Sequence, residues 1–247
     1  MPREVIAVEG VDLFAEYRAA YTVGGDFYDV FWIDADRLAV FVGDVSGKGI
    51  SAALLMARIS SELRVAALAH VDPATTFAAM NAATLARCQP ELFFTAVYFT
   101  LEVRTGEVVL ANAGHTTPYL RRADGVVEPV VGGRACPVGI LDAPSFASTR
   151  LRLDHGDSLV LYTDGVVEAE SADGSFYGQE RLEACLAGPG APTSNAIAEQ
   201  ILDSVDRHCV DGSVGDDLTL FVCQRSVGGP KTMQPRRGST RLPATRR

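Results

Sequence analysis

The sequence of 247 residues predicts an α+β sandwich. Two observations carry this. Segments with the alternating pattern of strands, rich in Val, Leu, Tyr, Phe and Thr, follow one another in runs, and segments of helical character occupy separate blocks, in pairs. A parallel βαβ sheet would interleave the two kinds of element instead.

In chain order, residues 38–42 read as a strand and residues 50–69 as a helix. Asp72-Pro73 then supplies a capping carboxylate and a first-turn proline for a second helix, which runs to about Arg87. Residues 94–103 and 107–112 read as two strands joined by the hairpin turn Arg104-Thr105-Gly106-Glu107. The next strand is 118–122, after which Ala123-Asp124-Gly125 carries the Asp-Gly signal of a second hairpin. Strands at 148–153 and 158–163 complete that run. A second helical pair follows at 178–187 and, capped by Thr193 or Ser194, from there to about Cys209. Residues 218–224 form the last strand.

Apolar residues make up 47% of the chain, enough for one domain with a core that folds alone. No apolar run approaches the roughly 20 residues needed to cross a bilayer, so no membrane span is expected. Met1-Pro2-Arg3-Glu4 lacks the layout of a signal peptide, and the five cysteines (Cys88, Cys136, Cys185, Cys209, Cys223) contain no CxxC pair. Both point to a reducing, cytoplasmic setting without disulfides or a thiolate metal site. The net charge is −9, but residues 227–247 hold six basic residues and no acidic ones; setting those six aside leaves −15 on residues 1–226. So acidic a body disfavours nucleic acid as a partner, because phosphate contacts need cations. The tail at 227–247 is rich in Gly, Pro, Ser and Thr and is expected to be disordered, which sets the domain at residues 1–226.

The chemistry lies in where the aspartates fall. Asp26 and Asp29 sit in Gly24-Gly25-Asp26-Phe27-Tyr28-Asp29, and Asp44 ends a strand in Gly43-Asp44-Val45-Ser46-Gly47-Lys48-Gly49. Asp164 ends another in Tyr162-Thr163-Asp164-Gly165, and Asp216-Asp217 precede the last strand. Most have glycine beside them, which permits tight turns and close backbone approach. One Asp-Gly pair is an ordinary turn. Four such sites at strand ends form a pattern, and carboxylates crowded by converging strands repel unless hard cations balance them. Oxygen-only ligands select Mg²⁺ or Mn²⁺ over zinc. A P-loop fails on spacing, since three residues rather than four separate Gly43 from Gly47 and Gly49 follows Lys48 where Ser or Thr should stand. No G-x-S-x-G marks a serine nucleophile.

Seven stretches in order now carry a resemblance: Gly24 to Asp29; Gly43 to Gly49 with Ala52-Ala53; Phe94-Thr95; Asn112-Ala113-Gly114-His115; Pro137-Val138-Gly139; Tyr162 to Ala169; and Gly215-Asp216-Asp217-Leu218-Thr219. Together they resemble the SpoIIE/RsbU branch of the metal-dependent PP2C-type (PPM) serine/threonine protein phosphatases. The resemblance implies a four-layer α-β-β-α sandwich, two antiparallel sheets flanked by helix pairs, with Mn²⁺ or Mg²⁺, two per site, at one end. It implies that Asp44 bridges both ions, that the Val45 carbonyl binds one, and that Asp164 and Asp216 complete the set. Asp217 is the alternative to Asp216, because the two are adjacent. Asp26 matches the acidic residue of the first motif and binds directly or through water, and Asp29 is a supporting or structural candidate.

The implied reaction is in-line attack of a metal-bridging hydroxide on the phosphorus of phosphoserine or phosphothreonine, with Asp44, Asp164 and Asp216 as the catalytic carboxylates and no phosphoenzyme. Where eukaryotic members carry a histidine two residues after the bridging aspartate, this chain has Ser46, and no motif marks Arg3 or Arg18 as a phosphate-binding arginine. Lys48 reads as solvated, Asn112 and His115 as organising their turn, Phe93 and Phe94 as core. By resemblance the substrate is a phosphorylated STAS-domain anti-sigma-factor antagonist in a partner-switching pathway. Dimerisation through the helices at 50–87 is the family-like way to shift the Asp44 turn. The alternative is a catalytically inactive phosphatase-like module that binds a phosphoprotein; such a module would have no need to keep every metal aspartate.

Overall fold

The computed structural model describes residues 7–20, 23–47, 49–87, 93–188, 193–209, 215–226 and 231–232. Its strands are β1 (Ala7–Val8), β2 (Val11–Arg18), β3 (Phe27–Trp32), β4 (Arg37–Val45), β5 (Phe94–Glu102), β6 (Glu107–Ala113), β7 (Tyr119–Arg121), β8 (Val127–Pro129), β9 (Arg134–Ala135), β10 (Thr149–Arg152), β11 (Ser158–Tyr162), β12 (Leu218–Arg225) and β13 (Lys231–Thr232). The helices are α1 (Gly49–His70), α2 (Pro73–Leu85), α3 (Asp164–Val167), α4 (Gly178–Leu186) and α5 (Ser194–His208).

Two sheets stack face to face. One runs β10-β6-β5-β4-β3 with β9 beside β6, the other β2-β12-β11-β7-β8. Strand parity sorts the side chains into layers. Along β5, Val97, Phe99 and Leu101 face the second sheet, while Phe94, Ala96 and Tyr98 face α1 and α2. Along β12, Phe221 and Cys223 join the core between the sheets, while Leu218, Leu220 and Val222 pack with α4 and α5. These are three apolar cores between four layers, so the α-β-β-α sandwich expected from the sequence is the fold.

Local chemistry explains the helices. Asp72 caps α2 by accepting from the Thr75 amide at 2.9 Å, with Pro73 in the first turn. Thr193 caps α5 by accepting from the Ala196 amide at 3.2 Å, and Ile197, Ala198, Ile201, Leu202 and Val205 form its buried stripe. Helix α1 buries Ala52, Ile59, Leu63 and Ala67, while Ile50, Leu54, Val65 and Leu68 on its other side are exposed. It is therefore apolar on two faces.

Several elements depart from expectation. β1, β2, β3, β8, β9 and the one-turn α3 are not among the elements the sequence pattern predicts. Both sheets are antiparallel except where β9 lies parallel to β6, because the chain visits the second sheet through β7 and β8 before it returns. β13 lies within the stretch expected to be disordered, and it pairs with β1; residues 227–230 and 233–247 lie outside the described residues.

Asp29 belongs to β3 and points to the helix side of its sheet. The Arg64 guanidinium from α1 grips its carboxylate in two bonds, Nε to Oδ2 at 2.8 Å and Nη2 to Oδ1 at 2.6 Å, and lies 4.4 Å over the Phe31 ring. A bidentate pair of this kind fixes orientation as well as distance. Asp29 thus ties α1 to the strand that follows Asp26, and of the two roles open to it from the sequence, the structural one fits.

Candidate active site

The two sheets end together where β4 ends, β3 begins and β11 runs into α3, and the space between their ends is the cleft. Parity along β4 puts Asp44 on the cleft face with Val40 and Val42. Asp164 is the first residue of α3, and Asp216 stands two residues before β12. Burial pushes the Asp44 carboxyl up to about 7, and the charges of Asp164 and Asp216 add to the shift. Three of the sequence's carboxylates are therefore brought together electrostatically. Glu168 is raised as well, by burial and then by Asp164 and Asp216, which makes it a fourth carboxylate at this end. It stands inside the quoted Tyr162 to Ala169 motif, exposed at the C-terminal end of α3.

Asp26 is 2% exposed and crosses the cleft. Its Oδ2 accepts from the Thr163 hydroxyl at 2.6 Å and the Thr219 hydroxyl at 2.8 Å, both on the opposite sheet. Burial raises its carboxyl to about 8 against those two bonds, and the Asp44 charge pushes the same way. Thr163 and Thr219 were in the quoted motifs without a role; a hydroxyl beside a motif aspartate was the available signal. Tyr17 of β2 also faces this cluster: its phenol is raised by burial and then by Asp217, Asp26 and Asp44.

The adjacent pair Asp216 and Asp217 divides. Asp217 spends both oxygens on distant backbone, accepting from Ala20 N at 2.9 Å and Gly25 N at 2.8 Å. It anchors the segment that carries Gly24, Gly25 and Asp26. Asp216 is the one whose charge acts on Asp44 more strongly.

The donors suit a hard divalent cation. The named donors are all oxygens, and a glycine keeps two of them accessible: a Cβ on Gly25 would stand 2.7 Å from Asp44 Oδ1 and 2.8 Å from the Val45 carbonyl oxygen. Those two oxygens, both expected ligands, thus face one small space. Among the described residues no three His, Cys, Asp or Glu side chains close on a single point. Mg²⁺-type sites do not require that, since the ion keeps several waters and uses one or two carboxylates. Gly25→Ala is expected to fill the space and displace Asp44, lowering kcat/KM for phosphoester hydrolysis by about 10²-fold; phosphate-release kinetics at wild-type rate would remove Gly25 from the site.

A pH effect follows. The folded carboxyls of Asp44 (about 7) and Asp26 (about 8) lie above their ordinary 3.8. The stability each contributes is full below about pH 4 and is lost as pH rises through the folded value. In chelator, the melting temperature is expected to rise by about 5 °C as pH falls from 8 to 5.5, and scanning fluorimetry reads it. A flat profile would mean that the carboxylates are not crowded.

The remaining sequence candidates fall elsewhere. Arg18 is held by Asp206, Nη1 to Oδ1 at 2.5 Å, and by Glu16, so its charge is already matched. Phe94 is core. Asn112 closes its turn by accepting from His115 N at 2.8 Å and donating to the His115 and Thr116 carbonyls. Arg3 and Lys48 lie outside the described residues, and among those described no helix is long and apolar enough to cross a membrane.

Comparison with known proteins places the family and the fold. Residues 34–226 match the sequence model of the family described as stage II sporulation protein E (SpoIIE). The chain is 28% identical to Protein IcfG of Synechocystis over 86% of its own length and 37% of that protein's. It is 25% identical to the phosphoserine phosphatase RsbU of Bacillus subtilis, over 89% of this chain and 64% of that one. The chain thus spans under two thirds of either relative. Among solved structures, the RsbU and RsbW domains of a Mycobacterium tuberculosis protein superpose with a TM-score of 0.73 at 26% identity, over 89% of this chain and 61% of that one. The SiaA PP2C domain of Pseudomonas aeruginosa gives 0.77 at 21% identity, over 87% and 86%. Matched over residues 34–226 by the family model, the chain belongs to the SpoIIE family, and its fold is the one found in PP2C domains.

Proposed function

We propose that this chain is a metal-dependent protein phosphatase that hydrolyses phosphoserine or phosphothreonine. The observation that carries the reading is the crowding of Asp44 by Asp164 and Asp216 at the open end of the cleft, in a member of this family. The name of the relative RsbU, a phosphoserine phosphatase, supports the same reaction. Mn²⁺ or Mg²⁺, two per site, would be held by Asp44, the Val45 carbonyl, Asp164 and Asp216, with Asp26 near them. Bound there, the ions supply an acidified water for in-line attack and neutralise the phosphoryl oxygens.

The chain's own groups do the rest. Asp44, Asp164 and Asp216 offer negative charge that a divalent cation would neutralise. Gly25 leaves the approach to Asp44 open, and Asp217 holds Gly25 in place through its amide. Ser46 accepts from the Phe93 amide at 3.2 Å, which keeps the turn after Asp44 closed.

The substrate we propose is a phosphorylated STAS-domain anti-sigma-factor antagonist, in a partner-switching pathway. A homodimer has one supporting observation, the exposed Ile50, Leu54, Val65 and Leu68 of α1, which a second copy would cover. The test of function is phosphate release from a phosphoserine-bearing STAS protein after chelation, with Mn²⁺ or Mg²⁺ then titrated back. Activity is expected only with the ion restored. Binding of the phosphoprotein without turnover at any ion concentration would leave the inactive module.

A further inference from the structure

We propose that Thr163 and Thr219 are positioning residues, a hydroxyl clamp that fastens Asp26 to the second sheet and so sets the affinity of the centre for divalent cations. The proposal rests on the metal reading of the site. Asp26 stands directly before β3 of the first sheet, whereas Thr163 directly follows β11 and Thr219 lies within β12, both of the second. The two hydroxyls converge on one oxygen: Thr163 Oγ1 lies 2.6 Å and Thr219 Oγ1 2.8 Å from Asp26 Oδ2. All three residues are buried.

The donors are themselves fixed. The Thr163 amide donates to the Thr219 carbonyl at 3.0 Å, and the Thr219 amide donates to the Thr163 hydroxyl oxygen at 2.8 Å, which locks the two side chains together at the end of the β11–β12 ladder. A carboxylate oxygen that accepts two hydrogen bonds has both lone pairs taken. Oδ2 of Asp26 therefore belongs to the clamp, and only Oδ1 is left to face an ion or its water. The clamp places more than Asp26, because the two glycines before it lie between carboxylates of opposite sheets. A Cβ on Gly24 would overlap the Asp217 carboxylate, and one on Gly25 would stand 2.7 Å from Asp44 Oδ1. Gly24-Gly25-Asp26 is thus the spacer between Asp44 and the second sheet, where Asp164 directly follows Thr163 and Asp216 precedes β12. Loss of a hydroxyl lets that spacer shift, and with it the separation of Asp44 from Asp164 and Asp216.

Groups that hold ligands in place typically change metal affinity by about 10–100-fold when removed. The test is Mn²⁺ titration calorimetry on wild type, Thr219→Val, Thr219→Ser, Asp26→Ala and the double variant Asp26→Ala with Thr219→Val, with folding followed by circular dichroism and phosphate release measured in parallel. Thr219→Val keeps the shape of the side chain and is expected to weaken Mn²⁺ binding by about 10-fold or more, with kcat recovered at saturating Mn²⁺. Thr219→Ser, which restores the hydroxyl, is expected to recover most of the affinity. With Asp26→Ala already in place, Thr219→Val is expected to add no further loss, because the hydroxyl then has nothing to hold. Should Thr219→Val fail to fold, Thr219→Ala removes the hydroxyl without a methyl in its place, and the same weakening is expected. Wild-type Mn²⁺ affinity in the folded variant, or an equal loss with and without Asp26, overturns the clamp. A wild-type protein that binds no Mn²⁺ overturns the metal reading, and the clamp's role with it.

Discussion

Asp44→Asn is expected to fold, to melt at a higher temperature than wild type in chelator at pH 7.5, and to hydrolyse phosphoprotein at least about 10³-fold more slowly. The two effects have opposite sign and one cause. In the metal-free protein, ionised Asp44 is half-buried within the field of Asp164 and Asp216, and burial together with their repulsion raises its carboxyl to about 7. An amide of the same shape removes that charge, so the unliganded fold gains. The same amide lacks the charge that would hold a divalent cation, so the reaction would lose its electrostatic support. Circular dichroism, scanning fluorimetry and phosphate release read the three quantities. A variant that is both inactive and less stable would mean that Asp44 is a structural carboxylate; one that is fully active would take it out of the chemistry.

Asp216→Asn and Asp217→Asn are expected to fail differently although they are neighbours. Asp217 accepts from Ala20 N and Gly25 N with different oxygens, so in Asp217→Asn one of those two amides faces an NH2 donor instead of an acceptor and the hold on the segment that carries Asp26 weakens; a cost of about 1–3 kcal/mol in stability is expected. Asp216 accepts from the adjacent amide of Asp217 at 2.9 Å and repels Asp44. Its loss is expected to leave urea-unfolding stability near wild type while weakening Mn²⁺ binding by about 10-fold or more. Equal loss of stability in the two variants would contradict this division of labour.

The sequence could not make that division, because adjacent aspartates align equally well with one motif position. What separates them is two backbone amides nearly 200 residues away, and no local pattern carries such a partner. β3 was hidden in a similar way. Phe27 to Trp32 is aromatic and β-prone, but Asp29 in its middle reads as a turn residue until Arg64 of α1 is brought over it. β2 has the period in Val11, Leu13, Ala15 and Tyr17, yet Asp12 and Phe14 on its other face are buried too, under α5, where Asp12 accepts from the Ser194 amide at 3.2 Å. A strand covered on both faces loses the clean alternation that marks a half-exposed one. By contrast β5, β6, α2 and α5 announce themselves through local chemistry: the Gly106 turn, the Asp72 cap with Pro73, and the Thr193 cap. The strand-end aspartates were legible because glycine beside them is a local signal. Their convergence is a tertiary fact, as are the hydroxyls of Thr163 and Thr219 that reach Asp26 across the cleft.

Crystals of the protein soaked in Mn²⁺, with diffraction recorded at the manganese absorption edge, bear most directly on whether these aspartates form a metal centre. The expected result is anomalous density in the mouth of the cleft, in contact with Asp44, the Val45 carbonyl, Asp164 and Asp216, and absent from Asp44→Asn crystals treated alike. Density confined to other acidic positions, or a cleft that stays empty while Asp44→Asn and wild type look the same, would contradict it.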